Sequence, residues 1–135
     1  AGVPGELSAE GARRLPGVLG RHDPDLVILC HGGNDLLRKR PEEERAANLR
    51  RMIADARAHG AEVVLLSVPR PTILLSGDPL YVRLGKDLGI PVEDDALADI
   101  LQQPRFKSDQ IHPNAAGYHR LAQAVAELLE DRGAL

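Results

Sequence analysis

The feature that most limits how this chain can fold is an unbroken apolar run, Leu26-Val27-Ile28-Leu29-Cys30. A strand with one wet face alternates apolar and polar residues, so a run without alternation reads as a strand covered on both faces. Val63-Val64-Leu65-Leu66 repeats the pattern after a long stretch of helical period. Two such strands joined by a helical crossover predict an α/β domain built on a parallel sheet.

The connecting segments carry their own boundary signals. Ser8 is the expected N-cap of a first helix using Ala12, Leu15 and Leu19, with Pro16 expected to break or kink it. Pro41 opens a long helix whose first turn holds Glu42, Glu43 and Glu44, where the helix dipole favours negative charge. Its buried stripe is Ala46, Leu49, Ile53 and Ala56, and Gly60 suits its end. A shorter helix is expected from about Pro79 to Leu88, then a short third strand at Ile90-Pro91-Val92. Asn114 caps the last helix, with Tyr118, Leu121, Val125 and Leu128 on its inner face. No repeat, linker or low-complexity segment interrupts the 135 residues, so the expectation is one domain over 1–135.

Composition closes several functional classes. Seventeen Lys+Arg against 20 Asp+Glu give a net charge of −3, and Tyr81, Phe106 and Tyr118 are the only aromatics. That balance lacks the basic face and stacking platform of a nucleic-acid binder. No apolar run approaches the roughly 18 residues of a membrane span. A single cysteine, Cys30, excludes an internal disulfide and a Cys-built zinc site. The first residues, Ala1-Gly2-Val3-Pro4-Gly5, have neither an initiator methionine nor a signal-peptide pattern, and so leave the compartment open.

Two stretches carry chemistry. His31-Gly32-Gly33-Asn34-Asp35 follows the apolar strand directly. Paired glycines let the backbone turn and approach a ligand, and an asparagine amide there can donate to a developing oxyanion. A plain glycine turn with Asn-Asp capping the next segment is the competing reading. The second stretch is Asp109-Gln110-Ile111-His112-Pro113-Asn114. Three residues apart before a capped helix, Asp109 can hold the Nδ1–H of His112 while Nε2 faces a nucleophile as general base. A surface Asp-His pair leading into a helix cap is the alternative.

Other arrangements of the same residues are weaker. A Cys30–His31 nucleophile and base would need neighbouring strand residues, which point to opposite faces, to meet, and a cysteine ending an apolar strand is expected to be a small buried hydrophobe. A metal-dependent hydrolase drawing on His31, Asp35, Asp109, His112 and His119 would need several converging ligands, yet His119 lies two helical turns beyond His112. No metal or organic cofactor is expected.

Taken together, Gly32-Gly33-Asn34-Asp35 and Asp109-x-x-His112-Pro113-Asn114 resemble the SGNH (GDSL) hydrolase superfamily, in particular its thioesterase I, lysophospholipase and arylesterase group. The resemblance runs from Gly2 to the last helix, with Gly117 and Tyr118 continuing the second motif. It implies a flavodoxin-like α/β/α sandwich that hydrolyses carboxylic esters or thioesters through an acyl-serine. His112 would be general base and then acid, Asp109 would orient it, and Gly5 N–H and the Asn34 amide would form the oxyanion hole. The implied partner is a small acyl ester or thioester, and the implied compartment of a parent protein is periplasmic or secreted.

The chain departs from the family at the nucleophile. The family's serine sits in a Gly-Asp-Ser-Leu block after its first strand, and no such block occurs here. Ser8, Ser67, Ser76 and Ser108 are the only serines, and none has that context or a Gly-x-Ser-x-Gly elbow. Ser76-Gly77-Asp78 has the letters in another order and reads as turn chemistry. The resemblance therefore implies that the N-terminal strands and nucleophile turn are missing, and that residues 26–30 form an exposed apolar edge. An N-terminal segment or a partner chain would complete the sheet. The chain alone is expected to be inactive, and a non-catalytic remnant of the fold is the rival reading.

Overall fold

A computed structural model describes residues Ala1–Leu135. In chain order the elements are α1 (Ser8–His22), β1 (Leu26–Leu29), α2 (Gly33–Leu37), α3 (Glu42–Ala58), β2 (Glu62–Leu66), α4 (Pro79–Leu88), β3 (Val92–Glu93), α5 (Ala96–Gln102), a 3-10 turn (Pro104–Phe106) and α6 (Ala115–Asp131). The strands form one parallel sheet in the order β1-β2-β3, with Val27 opposite Val63 and Leu65 opposite Val92.

Strand alternation divides the core. Val63 and Leu65 point to one face, where they meet Ala12 and Leu19 of α1, Leu49, Met52, Ile53 and Ala56 of α3, and Leu80, Tyr81 and Leu84 of α4. Val64 and Leu66 point to the other, against Val125 and Leu129 of α6. Helices on both faces of a parallel sheet make the α/β/α sandwich. The order also explains why β2 is apolar throughout: it is the central strand and is buried from Val63 to Leu66.

The run at 26–30 is different. It is not covered on both faces: β1 is an edge strand, it ends at Leu29, and Ile28 is 47% exposed. Cys30, expected to be buried, is exposed beyond the strand end. Ile28 faces a shallow apolar groove shared with Leu121, Ala122, Val125 and Ala126 of α6. Nothing in the chain covers that side of β1.

Other expectations need correction. Ser8 is not a cap: Leu7 holds the N-cap position, and the Ser8 hydroxyl is buried on Asp35. Pro16 does not break α1, because its ring lies on the exposed side while Ala12 and Leu19 anchor the turns around it. The third strand is Val92–Glu93 rather than 90–92. On α6 the buried residues are Gly117, Val125 and Leu129; Tyr118 is exposed, and Leu121 and Leu128 are half-buried. Helices α3 and α4 and the Asn114 cap, whose side chain accepts from Gly117 N at 3.0 Å, match the sequence reading closely.

Candidate active site

The segment 107–114 is built as a closed loop. Lys107 pairs with Pro113 in an isolated antiparallel bridge, and Ser108 N donates to His112 O at 2.9 Å. Asn114 N donates to Phe106 O and its side-chain amide to Arg105 O, which fastens the loop to the 3-10 turn. Gly117 is required at this junction, since a Cβ there would run into Phe106 O. At the loop tip, Asp109 Oδ1 accepts from the backbone N–H of Ile111 (2.8 Å) and of His112 (2.9 Å). His112 Nδ1 lies 2.8 Å from Asp109 Oδ2 and 3.0 Å from Oδ1. The Ile111 N–H bond, and then the His112 contact, hold the Asp109 carboxyl below its usual range. An ionised Asp109 thus accepts the Nδ1 proton, and Nε2 is left without a hydrogen-bond partner in the chain.

The loop after β1 is fixed from below. Gly32 adopts φ +107°, and a Cβ there would lie 2.5 Å from Tyr81 Oη and 2.7 Å from Arg45 Cδ, so only glycine fits. Tyr81 donates to His31 O at 2.6 Å, and burial keeps its phenol neutral by raising it far above the usual range. Arg45 reaches Asp78 at 2.5 Å, both nearly inaccessible, and Asp78 caps α4 through Leu80 N. Asp35, one residue beyond Asn34, accepts from Ser8 N (2.8 Å) and Ser8 Oγ (2.6 Å), and Asn48 donates to the same hydroxyl.

Asn34 itself donates its side-chain amide to Glu6 O at 3.0 Å, which draws it onto the turn that holds Gly5. Gly5 sits at φ +73°, and its N–H has no acceptor in the chain. Glu6 is buried and paired with Arg14 at 2.8 Å and His31 at 3.2 Å. The hydrogen bonds from Arg14 outweigh the cost of burial and, with His31, hold Glu6 at about 2.

These pieces share one cavity of about 920 Å³, lined by Gly5, Gly32, Gly33, Asn34 and His112 among mostly apolar neighbours. Gly5, Asn34 and His112 thus line the same cavity, and Asp109 pairs with His112 behind it. None of the four serines lines it. Ser8 and Ser67 are buried against Asp35 and Asp94, and the Ser108 hydroxyl is turned onto backbone carbonyls of its own loop. Cys30 and His31 both line the cavity, but His31 is engaged by Glu6 and by Gly32 N. No three His, Cys, Asp or Glu side chains converge anywhere in the chain, so the five residues weighed as metal ligands do not meet.

Sequence reasoning missed the supports. Ser8, Tyr81, Arg45 and Asp78 carry no local signal for these roles, and an arginine on a helix reads as a solvated charge. Only Asp35, adjacent to Asn34, stood inside a motif.

Comparison with known proteins gives the family. The pattern of the GDSL-like Lipase/Acylhydrolase family matches residues 1–120. The chain is 28% identical over 136 residues to the Escherichia coli protein named Thioesterase 1/protease 1/lysophospholipase L1, covering 96% of this chain and 65% of that protein. It is 32% identical to Esterase TesA of Pseudomonas aeruginosa, covering 93% and 65%. The chain thus spans about two-thirds or slightly less of the length of these relatives. Among solved structures, one titled TesA superposes with a TM-score of 0.83 at 30% identity, covering 94% of this chain and 74% of that one. A GDSL-like lipase from Bacteroides thetaiotaomicron shares the fold at a TM-score of 0.78. The chain belongs to the GDSL-like Lipase/Acylhydrolase family.

Proposed function

We propose that this chain is the acid–base and oxyanion half of a serine esterase or thioesterase, and that its nucleophile lies outside these 135 residues. The observation that carries the reading is the cavity, which gathers His112, Asn34 and Gly5 but no serine. In the reaction, His112 Nε2 takes the serine proton during attack on the acyl carbon and returns it to the leaving alcohol or thiol. Asp109, held ionised, keeps the imidazole in the right tautomer and stabilises the imidazolium. Gly5 N–H and the second amide hydrogen of Asn34 face the developing oxyanion, together with the N–H of the serine. No step requires a metal or organic cofactor. The apolar lining suits an acyl chain, and the relatives' names, a thioesterase/lysophospholipase and an esterase, support carboxylic esters and thioesters as the substrate class.

The free edge of β1 and the groove beside α6 support the same reading. A strand pairing along β1 would satisfy its open backbone groups, and the helix after it would cover Ile28, Leu121, Val125 and Ala126. A Gly-Asp-Ser-Leu turn between the two would emerge at the C-terminal end of the sheet, on the side of His112.

A fluorophosphonate probe tests the assignment. The 135-residue chain is expected to take up no label, and the chain extended upstream by its strand and serine turn is expected to label stoichiometrically. Labelling of Ser8, Ser67, Ser76 or Ser108 in the short chain would overturn the placement of the nucleophile. The serine-free cavity also fits a second reading, a non-catalytic remnant that binds acyl ligands; a folded extended form without turnover would favour it.

A further inference from the structure

The β2–α4 loop holds two aliphatic side chains in solvent with no structural use. Ile73 is fully exposed and Leu74 is 82% exposed, the two most exposed large apolar residues of the chain. They line neither the cavity nor the groove beside α6, so a segment that completed the sheet at β1 would not account for them. The hydrophobic effect favours folding such a tip back onto the protein. Here the loop is held against that. Pro69 bridges Gly77, Arg70 N donates to Ser76 O (3.0 Å), and Asp78 N donates to Val68 O (3.0 Å). Higher up, Thr72 Oγ1 donates to Leu74 O (2.7 Å) and Gln102 to Leu75 O (2.9 Å). The tip is presented by a braced base.

We propose that Ile73 and Leu74 form an interfacial anchor that docks the protein on a zwitterionic phospholipid surface. Three observations select that occupant. From Pro71 to Gly77 the loop has no charged residue, and the Arg70 guanidinium at its base is taken up by Asp78 and Glu42, so insertion buries no free charge. Two side chains fall far short of the roughly 800 Å² per partner of a stable protein interface. A lipid surface accepts single aliphatic groups and gains affinity with each. The third observation is position: Pro69, Pro71 and Leu75, on either side of the tip, line the cavity that holds Asn34 and His112. A docked tip therefore brings the cavity mouth to the lipid surface. Docking rests on the loop alone.

The chain contains no tryptophan, so Leu74→Trp supplies a single reporter. With phosphatidylcholine vesicles its emission is expected to shift to the blue and to be quenched by brominated acyl chains, with no loss in high salt. In vesicle co-sedimentation, Ile73→Asp with Leu74→Asp is expected to weaken binding roughly tenfold or more. Leu135→Asp, at an exposed apolar residue elsewhere, is expected to leave binding unchanged. An unshifted reporter, or a double variant that binds like the parent, overturns the proposal. So does a dimer in sedimentation equilibrium that the same double substitution dissolves, which would assign the tip to a second copy. Binding is read without turnover, so its failure is separate from failure of the hydrolase mechanism.

Discussion

Single side chains near the cavity carry both its chemistry and its pH response. Glu6 is lowered from 4.5 to about 2, first by Arg14 and also by His31. A carboxyl whose folded pKa lies below its unfolded value contributes stability that is fully present above about 4.5 and is lost as the pH falls through about 2. Glu6→Gln should therefore destabilise the chain at pH 6 and converge with the parent only as the pH falls below about 2. Urea midpoints across that range check this, and parallel curves would contradict it. The effect should be moderate, since Arg14 is one-third exposed. In the serine-bearing form, Asn34→Ala should lower kcat roughly 10²–10³-fold with little change in KM, as loss of one oxyanion donor does. His112→Ala should abolish nearly all turnover of a short activated ester. A variant at Asn34 that kept its kcat would remove this residue from the oxyanion hole.

Among the elements, α3 and α4 matter most to the site, because the Arg45–Asp78 pair joins them beneath the Gly32 turn. Both partners are desolvated, and Arg45 Nε has no partner at all. Removing one partner of such a pair leaves a buried charge, so Arg45→Met should cost about 3–5 kcal/mol. Asp78 would keep its cap bond from Leu80 N, but its only charged partner would be Arg70 at 3.4 Å. Adding Asp78→Asn, which removes the stranded charge and can still cap α4, should recover part of that loss. Thermal or urea denaturation of the single and double variants reads this directly. Additive losses would show that the pair is not coupled. Little of this was legible beforehand: the apolar stripes of α3 and α4 gave their bounds, but an arginine among glutamates gave no sign of turning inward.

For the molecule as a whole, the weak point is the edge of β1. Its neighbour β2 is satisfied on both sides, whereas β1 pairs only with β2 and leaves Ile28 in an open groove. A strand and helix added there would bury that apolar surface and pair the open backbone groups. The extended chain should therefore melt at a higher temperature than the 135-residue chain, and should protect the β1 amides from hydrogen exchange. Equal melting temperatures, or unchanged exchange at Leu26 and Ile28, whose N–H groups point away from β2, would show that the added segment docks elsewhere.

Local physics, legible in one dimension, set the class of this protein. Apolar runs without alternation announced a parallel sheet, prolines and caps bounded α3, α4 and α6, and Asp109 with His112 is a contact of three residues' span that a turn can make unaided. Asn34 was named from its place after paired glycines and Gly5 only through family resemblance, and their nearness depends on a bond between residues 28 apart. By their residues the runs 26–30 and 63–66 look alike, and only the family resemblance pointed to 26–30 as an open edge; the tertiary structure puts β2 at the centre, where it alone gains neighbours on both sides. It also decided the charges beneath the site. Whether Arg45 or Ser8 is solvated or buried depends on Asp78 and Asp35, residues 33 and 27 positions away. Periodicity reports the face of a helix or strand, whereas the partner waiting on that face is set by how the elements pack.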